Sequence, residues 1–224
     1  MENQISRVDR TKKEARENYN RLSHWYDLIA GPSEKELRDA GIDLLNVQTG
    51  EKVLEIGFGT GNSLLSIGDS VGGNGSVFGV DLSDGMIRVA NQKIESRPLS
   101  DRISLCLADG AFLPFLHNQF DAVFMSFALE LFNVDDIRRV LKGCSRVLKP
   151  SGLLVNVSLS KTQNPGIIER IYEWFHAQMP VLIDCRPIFV NDFISTSGFK
   201  IQSQIDKKMW GIPVKITSAS LRNN

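Results

Sequence analysis

Polar and apolar positions alternate along this chain in two rhythms. Over 11–29 the helical rhythm places Tyr19, Leu22, Trp25, Tyr26 and Ile29 on about one side, which predicts a helix. Gly31-Pro32 predicts its end, and Ser33-Glu34-Lys35-Glu36 reads as a capping box with Ser33 as N-cap. The helix so opened runs to about 47 and turns Leu37, Ile42, Leu44 and Leu45 inward. From there short, nearly all-apolar runs take over, predicting strands at 52–56, 76–81, 103–107, 120–127 and 153–159. Helical patterns separate them at 61–70, 83–95 (capped by Ser83) and 133–148 (capped by Asn133). Strands without a polar face, alternating with helices, predict a parallel sheet covered on both sides.

The alternation changes after residue 160. An amphipathic helix (Ile167, Ile168, Ile171, Trp174, Phe175, Met179) is followed by an irregular Asp184-Cys185-Arg186-Pro187-Ile188 and a short helix over 191–196. A strand at 199–205 precedes a last strand too close behind it for a parallel crossover, so the two pair antiparallel. Pro213 lacks a ladder donor, which predicts a start at Val214 and a loop over 207–212. The expectation is one α/β domain, Rossmann-like. It has a seven-stranded, mostly parallel sheet with an antiparallel last strand and helices on both faces. A flexible stretch at 1–10 precedes a domain at 11–224, with a helical cap at 11–48 and an insertion at 161–190.

Composition narrows the partners. With 26 basic and 26 acidic residues in 224, the chain has no electrostatic footprint for nucleic acid. Three scattered cysteines, Cys106, Cys144 and Cys185, show neither a closed disulfide set nor metal-ligand spacing. Neither a tripartite leader nor an apolar run of about 18 residues is present. The expectation is a soluble, cytoplasmic protein without a transmembrane segment; peripheral membrane contact stays open.

Ligands of open α/β sheets bind beyond the C-terminal strand ends. Four features gather there. Gly57, Gly59 and Gly61 alternate after the first strand, giving positive φ, close backbone approach and a helix N-terminus for an anionic group. Asp81 closes the second strand, 20 residues past Gly61, the spacing at which a carboxylate meets a ribose diol. Asp109-Gly110-Ala111 follows the third strand, with Asp109 a candidate acceptor for an adenine amine. Leu82 and Met86 offer apolar surface to the base, and Ser126-Phe127 ends the fourth strand. The dinucleotide fingerprint wants glycine where Asn62 stands, which disfavours a dehydrogenase, and no Lys-Ser/Thr pair cradles a triphosphate.

The run Glu55-Ile56-Gly57-Phe58-Gly59-Thr60-Gly61, with Asp81 closing the next strand, resembles class I S-adenosylmethionine-dependent methyltransferases. The segment from Tyr19 to Asp27 is similar to the F/Y-D-x-I-A-x-x-Y-D motif of the ubiquinone/menaquinone C-methyltransferases (methyltransferase type 11), with Asn20 replacing the usual Asp. Val80-Asp81-Leu82-Ser83-Asp84-Gly85-Met86 and Arg146-Val147-Leu148-Lys149-Pro150-Ser151-Gly152 also match. The likeness spans about 15 to 160, and its motifs are shared with phospholipid headgroup N-methyltransferases. It implies S-adenosylmethionine as cofactor and S-adenosylhomocysteine as product. It also implies that Tyr19 and Tyr26 close over the methionine half, and that Glu55 orients the glycine loop. The acceptor it implies is small or lipid-like, a quinone-type ring carbon or a headgroup amine, met on the side of 161–190. A cofactor-binding regulatory or partner protein without turnover is the alternative.

No catalytic group stands out. A methyl leaving a sulfonium needs alignment and exclusion of water more than a strong base. His117 falls on the sheet edge away from the site, His176 lies on the amphipathic helix, and His24 is best placed beside Trp25 and the tyrosines, with a packed role favoured. Tyr172, Trp174 and Phe175 either line an acceptor pocket or pack on the sheet, the second favoured. Glu130 either approaches the acceptor or is solvated. Asp184, Cys185 and Arg186 either reach the acceptor or form an ion pair in a turn. Cys144 belongs in the core, and no cluster resembles a metal site.

Overall fold

The computed structural model describes residues 11–22, 26–162, 165–178 and 185–222, with the backbone alone at 21–22, 26–33 and 173–178. The reading of His24, Trp25 and Asp184, the side chains of Tyr26, Trp174, Phe175 and His176, and the stretch 1–10 lie outside that description. Five strands, β1 (Lys52–Ile56), β2 (Ser76–Asp81), β3 (Ile103–Leu107), β4 (Phe120–Ser126) and β5 (Leu148–Leu159), run parallel; β6 (Phe199–Met209) and β7 (Ile212–Leu221) close the sheet. The order is β3-β2-β1-β4-β5-β7-β6, with β7 antiparallel to both neighbours. The chain therefore leaves β1 in one direction through β2 and β3 and returns on its other side through β4. That reversal opens a crevice at the C-terminal ends of β1 and β4.

Helices cover both faces. On one lie α2 (Tyr26–Leu45), α3 (Asn62–Ser70) and α4 (Asp84–Glu95), burying Leu37, Leu64, Ile67, Ala90 and Ile94 against Val53, Phe124 and Val157. On the other lie α5 (Val134–Val147) and α7 (Val190–Thr196), packing Ile137, Leu141, Cys144 and Phe193 on Leu54, Ile56 and Val123. Each such fully buried aliphatic side chain contributes about 1.5–3 kcal/mol. Cys144 is core, its thiol pushed up to about 12 by burial. Helix α1 (Lys12–Leu22) and helix α6 (Ile167–Gln178) lie at the sheet's periphery. Gly41 decides how closely α2 approaches, because a Cβ there would stand 2.5 Å from Val157 Cγ2.

Two breaks expected from proline are not where the sequence puts them. Helix α2 runs through Gly31-Pro32 and Ser33, so Ser33 is helical rather than an N-cap. Pro32 sits in the second turn, where its fixed φ is already helical and one hydrogen bond is forfeited. Likewise β6 and β7 meet at a two-residue turn, Trp210-Gly211, both with positive φ, and Pro213 lies inside β7 opposite Lys208. The carbonyl of Pro213 accepts from the amide of Ser160, so its nitrogen also faces that side, where β5 has just ended; the ladder to β6 loses nothing.

Candidate active site

At the crevice lies a cleft walled by the ends of β1, β2 and β4 and roofed by α1 and α2. Its floor is the glycine loop. Gly57 has φ +72°, and a Cβ there would strike Ala128 at 2.6 Å. At Gly59, φ +53°, a Cβ meets nothing within 4 Å, so any side chain would project into the cleft. The Gly59 amide donates to Asp81 Oδ2 (3.0 Å) and the Ser83 amide to Oδ1 (2.8 Å). Burial pushes the Asp81 carboxyl up to about 6, with these amide donors opposing it. A carboxylate with both oxygens engaged once still has lone pairs for a diol.

Glu55, 1 % exposed, sits behind the loop. The Ser63 hydroxyl at the start of α3 donates to its Oε1, tying the strand end to the helix beyond the loop. Burial pushes the carboxyl up to about 7, against the pull of Ser63 and Arg38. Among the described residues Oε2 faces no hydrogen-bond partner.

The far end is polar and strapped. Asp109 Oδ1 caps a 3₁₀ turn, Gly110–Phe112, by accepting from the Ala111 amide (3.0 Å). Lys12 of α1 reaches its Oδ2 (2.5 Å) and Asp136 of α5 (3.0 Å). Burial would raise the Asp136 carboxyl, but Lys12 and Arg139 outweigh it and hold it below the usual range. Arg16 Nη2 and Arg88 pair with Asp84 at the start of α4. Asn20 explains its own departure from the family motif. Its Oδ1 accepts from the Ser83 hydroxyl (2.6 Å) and the Gly85 amide (2.9 Å), while its Nδ2 donates to Asp84 (2.9 Å). An aspartate would make the first two contacts but not the third. Asn20 and Arg16 hold the Asp84 carboxyl down at about 2.

Of the residues singled out from sequence, Tyr19, Glu55, Gly57, Gly59, Asp81, Leu82, Met86, Asp109, Gly110 and Ser126 line this one cleft. Gly61 does not: it lets α3 pass α4, since a Cβ would stand 2.9 Å from that of Ala90. Ala111 is also off the wall, its methyl in the core. Glu130 is buried rather than solvated, its Oε1 accepting from the Leu159 amide (3.0 Å). Arg186, 1 % exposed, donates to the carbonyls of Glu130 (3.3 Å) and Phe132 (2.5 Å), which favours the structural reading of that turn. Burial lowers its guanidinium to about 10, the Glu130 charge opposing. His117 is exposed, on the opposite sheet edge. Sequence reasoning missed Lys12, Arg38, Phe132 and Asp136, which also line the cleft. Arg38 belongs to no motif; its only signal is its place one turn before Gly41 on the same face of α2. Among the described residues no group of three or more His, Cys, Asp or Glu could hold a metal ion.

Comparison with known proteins fits this geometry. The solved structure of the [4+2]-cyclase SpnF superposes with a TM-score of 0.78 at 17 % identity, covering 98 % of this chain and 99 % of that one. The Burkholderia thailandensis 1,6-didemethyltoxoflavin-N1-methyltransferase, solved with S-adenosylhomocysteine, gives 0.71 at 13 % identity over 98 % and 95 %. These likenesses establish the fold, and the name of the first shows that fold alone does not fix a reaction. Sequence goes further. The demethylmenaquinone methyltransferase of Bacillus pumilus is 34 % identical over 164 residues, 73 % of this chain and 68 % of the relative. The ubiquinone/menaquinone biosynthesis C-methyltransferase UbiE of Teredinibacter turnerae is 33 % identical over 149 residues, 66 % of this chain and 59 % of the relative. The sequence model of the ubiE/COQ5 methyltransferase family matches residues 6–193, and the chain belongs to that family of S-adenosylmethionine-dependent enzymes.

Proposed function

We propose that this methyltransferase acts on a reduced quinone-type ring, at carbon, and that the cleft holds the cofactor in one defined orientation. The observation that carries the orientation is the joining of Gly59 to Asp81 on one wall at the sheet's reversal point. In this reading Asp81 accepts the two ribose hydroxyls, Leu82 and Met86 face the base, and Asp109 accepts from its amine. Gly57 and Gly59 give the chain behind the ribose its close approach, and Glu55 fixes the loop through Ser63. The cofactor supplies a methyl group bound to a cationic sulfur. The protein aligns an acceptor with that carbon and keeps water away, for which Tyr19, Leu131 and Phe132 form the lining toward β4. Among the described residues no histidine or cysteine lines the cleft.

The names of the relatives support a quinone acceptor. Contact with a membrane, where such acceptors with long apolar tails reside, is supported by one surface. Ile168 of α6, with Ile167 (77 % exposed) and Ile171 exposed on the same helix, packs on Gly211 next to Trp210 (61 % exposed) at the β6–β7 turn. Lys207 and Lys208 immediately precede that tip. Among the described residues no helix is long and apolar enough to cross a membrane.

The test incubates the purified protein and S-adenosylmethionine with a demethylated naphthohydroquinone or with an amine-headgroup lipid, and follows product mass. The reading expects ring methylation together with S-adenosylhomocysteine, abolished in Asp81→Asn. Methylation of the amine alone, or of neither, overturns it.

A further inference from the structure

We infer that Arg186 is a positioning residue for the methyl acceptor, bracing from behind the turn whose Leu131 and Phe132 face the cleft. The inference rests on the function proposed above, which sets the acceptor against that lining. Arg186 is the largest fully buried side chain among the described residues. Taking a guanidinium out of water is costly, so packing alone does not account for this residue type. A planar fork of donors does, because it fixes two acceptors at once. Nε donates to the carbonyl of Glu130 (3.3 Å) and Nη2 to that of Phe132 (2.5 Å). Both carbonyls belong to the exit of the 3₁₀ turn Leu129–Leu131. The last carbonyls of a helical turn take their donors from outside it, and here the fork supplies them. Leu131, Phe132 and Asn133 of the same stretch line the cleft. One buried cation thus sets where that wall stands.

The brace has its own footing. Strand β4 ends at Ser126, whereas β5 continues to Leu159 and there meets Ile188 as a parallel neighbour. The Ile188 amide donates to the Leu159 carbonyl (3.3 Å) and the Lys161 amide to the Ile188 carbonyl (2.9 Å). The Leu159 amide turns to the Glu130 carboxylate (3.0 Å), so the turn and the 186–188 segment are seated on one strand end. On its other side the segment is held by α6, whose Tyr172 hydroxyl donates to the Cys185 carbonyl (2.7 Å). Arg186 therefore links the insertion at 161–190 to the cleft wall. The ribose acid is fastened elsewhere. Asp81 closes β2, on the far side of β1 from β4, and is held by the amides of Gly59 and Ser83. Slackening the brace thus moves the acceptor's wall and leaves the cofactor's in place.

Two variants of the full chain test this. Arg186→Lys keeps the charge and loses the fork; Arg186→Met removes the charge at similar length. With demethylated naphthohydroquinone and saturating S-adenosylmethionine, kcat/KM for the quinol is expected to fall about 10- to 100-fold, as for a misplaced acceptor, with Arg186→Lys the milder. Calorimetric titration with S-adenosylhomocysteine should give the native affinity in both. Amide hydrogen exchange of the free protein, read by mass spectrometry, should quicken at 129–133 and stay unchanged at 57–63. Arg186→Lys alone decides the matter if Arg186→Met does not fold. Unchanged quinol turnover, loss of S-adenosylhomocysteine affinity in step with turnover, or unchanged exchange at 129–133 overturns the brace. If the unaltered protein methylates no quinol, the acceptor reading fails, and the exchange at 129–133 still decides whether Arg186 holds the wall.

Discussion

Replacing Glu55 by glutamine is expected to stabilise the ligand-free protein. The substitution is nearly isosteric: the side-chain oxygen still accepts from Ser63, and the amide takes the place of an oxygen that has no partner. What disappears is the buried charge. Burial lifts the Glu55 carboxyl from 4.5 to about 7, so the folded state holds a proton that the unfolded chain releases. For a carboxyl raised in this way, stability is greatest below the unfolded value, falls between the two, and is lowest above the folded one. The ionisation penalty integrates to roughly 1 kcal/mol at about pH 5.5 and roughly 3 kcal/mol at about pH 8, a difference of about 2 kcal/mol. Asp81, also raised, titrates in both proteins; only its repulsion of the Glu55 charge is lost with glutamine, and that repulsion is part of the Glu55 shift. Urea unfolding of the two proteins at these pH values is the assay. The native chain should lose about 2 kcal/mol more than Glu55→Gln on going to the higher pH. If the two lose stability in parallel, Glu55 is solvated or paired, and the argument from its burial fails.

Three further outcomes follow from contacts at the glycine loop and at the β6–β7 turn. Gly61→Ala should cost about 2–4 kcal/mol in urea unfolding, combining left-handed strain with a clash on Ala90. Gly59→Ala should show only the strain, yet lose S-adenosylhomocysteine affinity as its methyl enters the cleft. Trp210→Ser should reduce co-sedimentation with anionic phospholipid vesicles and leave methylation of a soluble quinol analogue unchanged; retained sedimentation would remove the membrane reading.

Much of the architecture was legible because strand burial is written locally. Val53-Leu54 and Val77 to Val80 announce β1 and β2 without reference to anything distant, and Ser83 and Asn133 cap their helices as their spacing implies. Where proline was decisive the reading failed, because its penalty depends on what its missing donor would have faced. For Pro213 that is the end of a neighbouring strand, a fact of topology rather than sequence. The site divides similarly. Asp81 and the loop glycines follow strand ends and are found by spacing. Arg38 and Lys12 arrive from helices far away in sequence, aimed by Gly41 and by paired carboxylates, so no local pattern reveals them. Gly61 shares the motif yet serves packing between helices, showing that one signature can mix two physical demands.

Helix α1 is fastened to the body through ion pairs that are largely exposed on its own side, one of them reaching the buried Asp136, and through the amide of Asn20, whereas its Ala15 and Tyr19 look onto the cleft. Surface ion pairs are each worth only about 0–1 kcal/mol. In the orientation proposed above, the apolar underside of this helix packs on the adenosyl compound, which would couple occupancy to roofing. Product differs from reactant there by a single methyl, so the roof rests on both almost equally. In that reading, exchange of one for the other waits on the unfastening of α1.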